Sequence, residues 1–153
     1  YGEDTHRLVA GRPLVLGGVT IPFHLGLLGH SDADALAHAA MDAMLGACAL
    51  GDIGKLFPDT DPQYAGICSL TLLTQVLRRT LAQGYALSNL DATIVAQQPK
   101  LAPHIPAMRA KLAAAMACGQ ERISIKATTP EGCGPEGALE SITVRCVCSM
   151  EAI

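Results

Sequence analysis

The chain of 153 residues has no tryptophan, three tyrosines and two phenylalanines. So few rings leave no stacking platform for bases. Its 11 basic residues, outnumbered by 14 acidic ones and never gathered into a run, offer no track for a phosphate backbone. Nucleic acid is excluded as a partner on both counts, and a small molecule is expected instead. The core has to rest on Leu, Ile, Val, Ala and Met, and with half the chain hydrophobic there is enough of it for one domain over residues 1–153.

Charge is missing altogether between Pro13 and Ser31. That length invites a membrane span, but two prolines, four glycines and histidine interrupt it, so no membrane partner is expected. The six cysteines lack both the Cys-x-x-Cys spacing of metal knuckles and the density of a disulfide-stapled miniature. They read as reduced, mostly buried thiols of a cytoplasmic, bacterial-type protein. No signal peptide is visible, and because the chain opens on Tyr1 rather than Met, a trimmed organelle leader stays open.

What is present is periodic. "RPLVLGGVTIPF" sets two β-prone runs around Gly17 and Gly18, a pair able to take the positive φ angles of a tight hairpin. "ADALAHAAMDAMLGACALG" and "SLTLLTQVLRRTLAQG" carry apolar residues at the helical period and stop near Gly51 and Gly84. "APHIPAMRAKLAAAMACG" reads as a third helix, opened by Pro103 or Pro106 and closed by Gly119. "NLDATIVAQ", "RISIKATT" and "SITVRCVC" read as strands. The order predicts an α+β fold, a mixed sheet of four to five strands with helices packed on one face.

The polar cluster "HSDADALAH" has a plain structural account: Ser31 as N-cap, with Asp32 and Asp34 near the positive end of the helix. That account leaves His30 and His38 unexplained. Near the chain start, Asp4 and His6 stand two apart, so an extended backbone points both to one face. One carboxylate and two imidazoles, with a fourth position open, is how a catalytic rather than a structural Zn²⁺ is usually held; the competing reading is a surface ion pair. "LGDIGKLFPDTDP" is too irregular for helix or strand, and its acids either form solvated turns or hold the hydroxyls of a polyol. "KATTPEGCGPEG" runs from a strand into a glycine-rich turn whose hydroxyls and N–H groups could cradle phosphate, with Glu131 a hard oxygen ligand of the kind Mg²⁺ accepts.

In order along nearly the whole chain, "DTH", "RPLVLGGVTIP", "GLLGHSDADALAH", "ALGDIGKLFPDTDP", "NLDATIVAQQPK", "PHIPAMR" and "IKATTPE" resemble the 2-C-methyl-D-erythritol 2,4-cyclodiphosphate synthases. The resemblance implies a homotrimer with an active site at each subunit boundary. It implies one Zn²⁺ per subunit on Asp4, His6 and His38, and a second divalent ion, Mg²⁺ or Mn²⁺, held with the help of Glu131. His30 and Thr129 would stabilise the transition state, His30 and Ser31 would approach the phosphates, and Thr128 and Thr129 would bind phosphate. Asp52, Ile53, Gly54, Phe57, Pro58, Asp59, Thr60 and Asp61 would meet the methylerythritol part. Ala96, Gln97, Gln98, Pro99, Lys100, Leu101 and Ala102 would form the cytidine pocket, largely through backbone groups. The reaction implied converts 4-diphosphocytidyl-2-C-methyl-D-erythritol 2-phosphate into the 2,4-cyclodiphosphate and CMP, in isoprenoid precursor biosynthesis.

The sequence departs from the family pattern at six positions. Pro130, Cys133, Pro135 and Ala138 replace a Thr, a Leu, a Phe and an Arg, Glu3 replaces an aromatic, and Arg145 falls where an acid is frequent. An acid and a base appearing together at two such positions suggest that Glu3 and Arg145 pair. A rival reading is a non-catalytic trimer that binds cytidine phosphates or an isoprenoid metabolite, its altered 130–140 loop having lost turnover. A Zn²⁺-dependent hydrolase would need a general base, for which His30 is the only candidate.

Overall fold

The computed structural model describes residues 1–153, and its elements follow the periodicities. In chain order they are β1 (Gly2–Ala10), β2 (Leu14–Leu16), β3 (Val19–Ile21), β4 (Leu25–Leu27), α1 (Ala35–Ala47), α2 (Ile53–Leu56), α3 (Ser69–Ala82), β5 (Tyr85–Val95), α4 (Ile105–Ala115), β6 (Ile123–Thr128), α5 (Gly134–Gly137) and β7 (Ser141–Ala152). Five strands make one sheet in the order β4-β1-β7-β5-β6, while β2 and β3 form a separate hairpin. Only β5 and β6, joined through α4, run parallel, so the sheet is mixed and the α+β expectation holds.

Register explains why helices lie on one face. Side chains alternate across a strand, and the pairing sets Gly2, Asp4 and His6 of β1 beside Cys146, Val144 and Ile142 of β7, and these in turn beside Ala92 and Ile94 of β5. This row packs against α1, buried throughout except at Asp4 and His6, which are half-buried. The opposite face reads Glu3, Arg145, Thr93 and Lys126 across four strands, and it is polar and open. There Arg145 Nε donates to Glu3 Oε2 at 2.9 Å, so the pair suggested by the sequence forms across neighbouring strands.

Four readings are corrected. Ser31 does not cap α1: the helix begins later, and Asp34 is the N-cap, its carboxylate accepting from the Ala37 N–H at 3.0 Å. The same carboxylate accepts from Gly17 N at 2.9 Å and Gly18 N at 2.7 Å, so it also pins the hairpin turn, where both glycines have positive φ. Burial pushes the Asp34 carboxyl up, against the three N–H groups that favour its charge. The 52–61 segment is not wholly irregular, because Asp52 caps the short α2. α4 ends at Met116 with Ala117, not Gly119, taking the left-handed turn at φ +49°. The six thiols are free as expected but not mostly buried: only Cys146 is buried, and Cys68 and Cys133 are exposed.

Close approach of α1 to β1 sets up the site. A Cβ at Gly2 would stand 2.1 Å from the Ala39 carbonyl oxygen and 2.6 Å from Ala43 N. Glycine on the strand and fully buried alanines on the helix therefore let the two backbones nearly touch. His38, one turn into α1, is thereby carried to the level of Asp4 and His6.

Candidate active site

Asp4 Oδ2 lies 2.8 Å from His6 Nε2 and 3.1 Å from His38 Nδ1, and the two ring nitrogens are 3.2 Å apart. This is the one group of three or more ligating side chains in the chain whose donor atoms converge. The far nitrogen of each imidazole is anchored. His6 Nδ1 is 2.7 Å from the Leu28 carbonyl oxygen, which can only accept, so Nδ1 donates and, in the neutral ring, Nε2 keeps its lone pair. His38 Nε2 is 2.9 Å from Ser69 Oγ and 3.3 Å from Ser31 Oγ.

Two imidazole lone pairs and a carboxylate thus converge with no donor among them when the rings are neutral. Such a set needs a proton or a cation. Ligands about 2.0–2.1 Å from a tetrahedral metal stand about 3.3 Å from each other, close to the observed spacing, so the residues fit a metal ion. The ionisation states point the same way. Burial would raise the Asp4 carboxyl, but the imidazoles of His38 and His6 beside it hold it down at about 2. Burial likewise works against charge on His6, yet its bond to Asp4 raises it above its ordinary value.

A hollow of about 470 Å³ opens over this trio, lined by His6, Leu28, Gly29, His30, Ser31, His38, Ile53, Gly54, Phe57, Asp59, Tyr64 and Leu72. His30 is exposed there, its Nε2 2.9 Å from the Asp61 carbonyl oxygen. Ser31, buried but lining the hollow, accepts from the Ala33 N–H at 3.1 Å, its hydroxyl oxygen 3.3 Å from His38 Nε2. Of the loop residues named from the sequence, Ile53, Gly54, Phe57 and Asp59 line the hollow. Asp52, Pro58, Thr60 and Asp61 do not. Two of these have local duties: Asp52 caps α2, and Asp61 accepts from Gln63 N at 3.0 Å.

A second hollow of about 410 Å³ is lined by Ala96, Gln97, Gln98, Pro99, Lys100, Leu101, Ala102, Ala127, Thr128 and Thr129. It gathers all seven residues of the expected cytidine segment with the two threonines. Thr129 Oγ1 donates to Glu131 Oε1 at 3.1 Å, and Gly132 N donates to Gln97 Oε1 at 2.9 Å. Glu131 is exposed and stands apart from the Asp4–His6–His38 trio. No residue lines both hollows.

Sequence reasoning missed Leu28, Tyr64, Leu72 and Ser69. Tyr64 packs edge-on against Phe57, ring centres 5.4 Å apart, which steadies the loop wall. Leu72 and Ser69 sit on α3, whose apolar period marked it as core and gave no sign that its first turn meets His38. Asp32, read only as an acid near a helix start, accepts from Ser69 N at 3.0 Å and from Ser69 Oγ at 2.5 Å.

Comparison with known proteins shows the family. The family model described as the YgbB family matches residues 1–151. A 2-C-methyl-D-erythritol 2,4-cyclodiphosphate synthase of Geobacter sulfurreducens is 58% identical over 151 residues, covering 99% of this chain and 96% of that protein. A solved 2C-methyl-D-erythritol-2,4-cyclodiphosphate synthase in a CDP-bound form superposes with a TM-score of 0.90 at 42% identity, covering 98% of this chain and 97% of the other. The bifunctional IspDF from Campylobacter jejuni superposes with a TM-score of 0.96 at 40% identity; this chain is 99% covered but spans 41% of that longer one.

Proposed function

This chain belongs to the YgbB family, and from that premise we propose that it is a 2-C-methyl-D-erythritol 2,4-cyclodiphosphate synthase, an enzyme of isoprenoid precursor biosynthesis. The observation that carries the reading is the convergence of Asp4, His6 and His38 under a hollow walled by the loop after α1. The reaction is a phosphoryl transfer within one molecule. An oxygen of the 2-phosphate bonds to the β-phosphorus of 4-diphosphocytidyl-2-C-methyl-D-erythritol 2-phosphate, the bond from that phosphorus to the bridging oxygen breaks, and CMP leaves with that oxygen. No water enters and no protein nucleophile is used.

Asp4, His6 and His38 would hold Zn²⁺. Glu131 would help to hold Mg²⁺ or Mn²⁺. Bound there, such cations neutralise crowded phosphate oxygens as Lewis acids. The chain's own residues have three tasks: orienting attacker and leaving group in line, stabilising charge that develops between them, and excluding water that would hydrolyse instead of cyclise. Leu28, Ile53, Phe57 and Leu72 supply the apolar wall. His30 at the mouth, with Ser31 beside it, meets phosphate, and Asp59 with the α2 backbone faces the methylerythritol hydroxyls; Asp52, Pro58, Thr60 and Asp61 shape that loop from behind. Thr128 and Thr129 meet phosphate from the second hollow, where 96–102 takes cytidine mainly through backbone groups. One of the solved relatives was obtained with CDP, a ligand of that chemistry.

Two half-sites with no shared lining residue support a homotrimer in which the metal hollow of one subunit faces the cytidine hollow of its neighbour. The chain reads as a single domain of this type. No helix is long and apolar enough to cross a membrane, the cysteines are free, and we place the protein in the cytoplasm. Incubating purified protein with the diphosphocytidyl substrate, Mg²⁺ and Zn²⁺ tests the reading. CMP and cyclic diphosphate in equal amounts are expected. CMP with a linear product would replace cyclisation by hydrolysis, and no CMP above background would leave only a binding protein.

A further inference from the structure

We propose that Asp32 and Ser69 are positioning residues: a hydrogen-bond relay from the Asp32 carboxylate through the Ser69 hydroxyl to His38 Nε2 fixes that imidazole with Nδ1 bare toward Asp4 and His6. The inference rests on the reading of the trio as a metal site. Its geometry is independent of any ion.

Both Asp32 oxygens are engaged as acceptors. Oδ2 takes the Ser69 N–H at 3.0 Å, and Oδ1 takes the Ser69 hydroxyl at 2.5 Å and the Asp34 N–H at 3.2 Å. A carboxylate has no proton to give, so the single hydroxyl proton of Ser69 is committed to Asp32. Toward His38 Nε2, 2.9 Å away, Ser69 Oγ can then only accept. Nε2 therefore carries a proton, and in the neutral ring the lone pair lies on Nδ1, the atom 3.1 Å from Asp4 Oδ2. Ser31 Oγ, already accepting from the Ala33 N–H, backs the same nitrogen at the longer distance of 3.3 Å.

The two histidines so reach one state by different routes. On His6 a backbone carbonyl takes the Nδ1 proton directly and frees Nε2. On His38 a hydroxyl whose own proton is held by the Asp32 carboxylate accepts from Nε2–H and leaves Nδ1 free. Partners of this kind orient metal-binding imidazoles and raise their basicity, and removing one costs about 10- to 100-fold in metal affinity. Ser69 is fully buried at the first turn of α3, so the relay also locks the loop before α1 and α3 to the metal-facing helix.

The test is Zn²⁺ affinity by chelator competition, together with ¹⁵N shifts of the His38 ring in metal-free protein, for the wild type, Ser69→Ala and Asp32→Asn. The asparagine variant guards against a misfolded alanine variant. It keeps the volume, but its single amide oxygen cannot satisfy both the Ser69 N–H and the Ser69 hydroxyl. Expected are a folded variant with Zn²⁺ bound about 10- to 100-fold more weakly and a His38 ring that no longer holds its proton on Nε2. Wild-type affinity together with an unchanged ring spectrum in both variants would overturn the relay. If the wild type itself takes up no Zn²⁺, the metal reading fails, and the wild-type ring spectrum alone then decides the relay.

Discussion

In the metal hollow each imidazole is gripped on its far side: His6 by the Leu28 carbonyl, His38 by Ser69 with Asp32 behind it. In the hollow over 96–102 the polar groups are exposed or half-exposed and lean on near neighbours, Thr129 on Glu131 and Gly132 on Gln97. The first is preorganised within one chain, since strand, helix and loop converge there from three parts of the sequence. The second presents backbone and short side chains outward and, in the trimer we propose, is finished by the neighbouring subunit. In the function we propose, binding that acts on charge is placed where side chains are held from several directions, and recognition of the base where they are most open.

Breaking the rigid half has the largest effect. His38→Ala removes one ligand of three, and folded protein purified with zinc is expected to lack the stoichiometric ion and to release CMP about a thousandfold or more slowly. Stoichiometric zinc in that variant would refute the assignment. Thr129→Ala in the open half should lower turnover about a hundredfold, as loss of one donor to a developing charge does, with zinc content unchanged. If Thr129→Ala also lost zinc, the halves would not be separable. The two variants sharpen the comparison when co-refolded: in a random mixed trimer, about one boundary in four pairs an intact metal half with an intact cytidine half. About a quarter of wild-type activity is expected back, and none if each subunit carries a whole site.

Gly2→Ala probes the contact that sets the geometry. Its methyl would meet the Ala39 carbonyl and Ala43 N, and denaturant titration should find about 1–3 kcal/mol lost, with weaker zinc binding. Acidity acts next. The Asp4 carboxyl, at about 2, is ionised throughout the neutral range, whereas the raised His6 keeps its proton above the ordinary imidazole range. Zn²⁺ must displace that proton, so its affinity should rise with pH through the region above 6.5, by up to about tenfold per unit while His6 is protonated. Titration calorimetry from pH 6 to 8 would read this, and a flat profile would contradict it. The smallest effect concerns the thiols. Exposed Cys68 and Cys133 should react first with a disulfide reagent, and Cys146, whose thiol burial pushes up to about 12, last.

Much of this was legible because it was local. Strand and helix periods placed the three long helices and β5, β6 and β7, and Asp4 and His6 share a face of β1 by alternation alone. Failures came where a residue's partner lies far along the chain. Ser31 fits a capping pattern, yet Asp34 caps because its carboxylate also reaches the Gly17–Gly18 turn, a contact no local window contains. Ser69 meets His38 only because α3 lies beside α1, a contact that its own helix period does not signal. Only resemblance could assign roles to 96–102, since backbone groups leave no side-chain signature. The Glu3–Arg145 pair lay between these cases: two unusual charges suggested it, and the β1–β7 register supplied the contact.

Anomalous diffraction at the zinc edge from crystals grown with Zn²⁺ tests the central claim most directly. The account predicts one peak per subunit, bonded to Asp4 Oδ2, His6 Nε2 and His38 Nδ1, with Ser69 still on His38 Nε2. No peak at that point, or a peak bonded to His38 through Nε2, would contradict it.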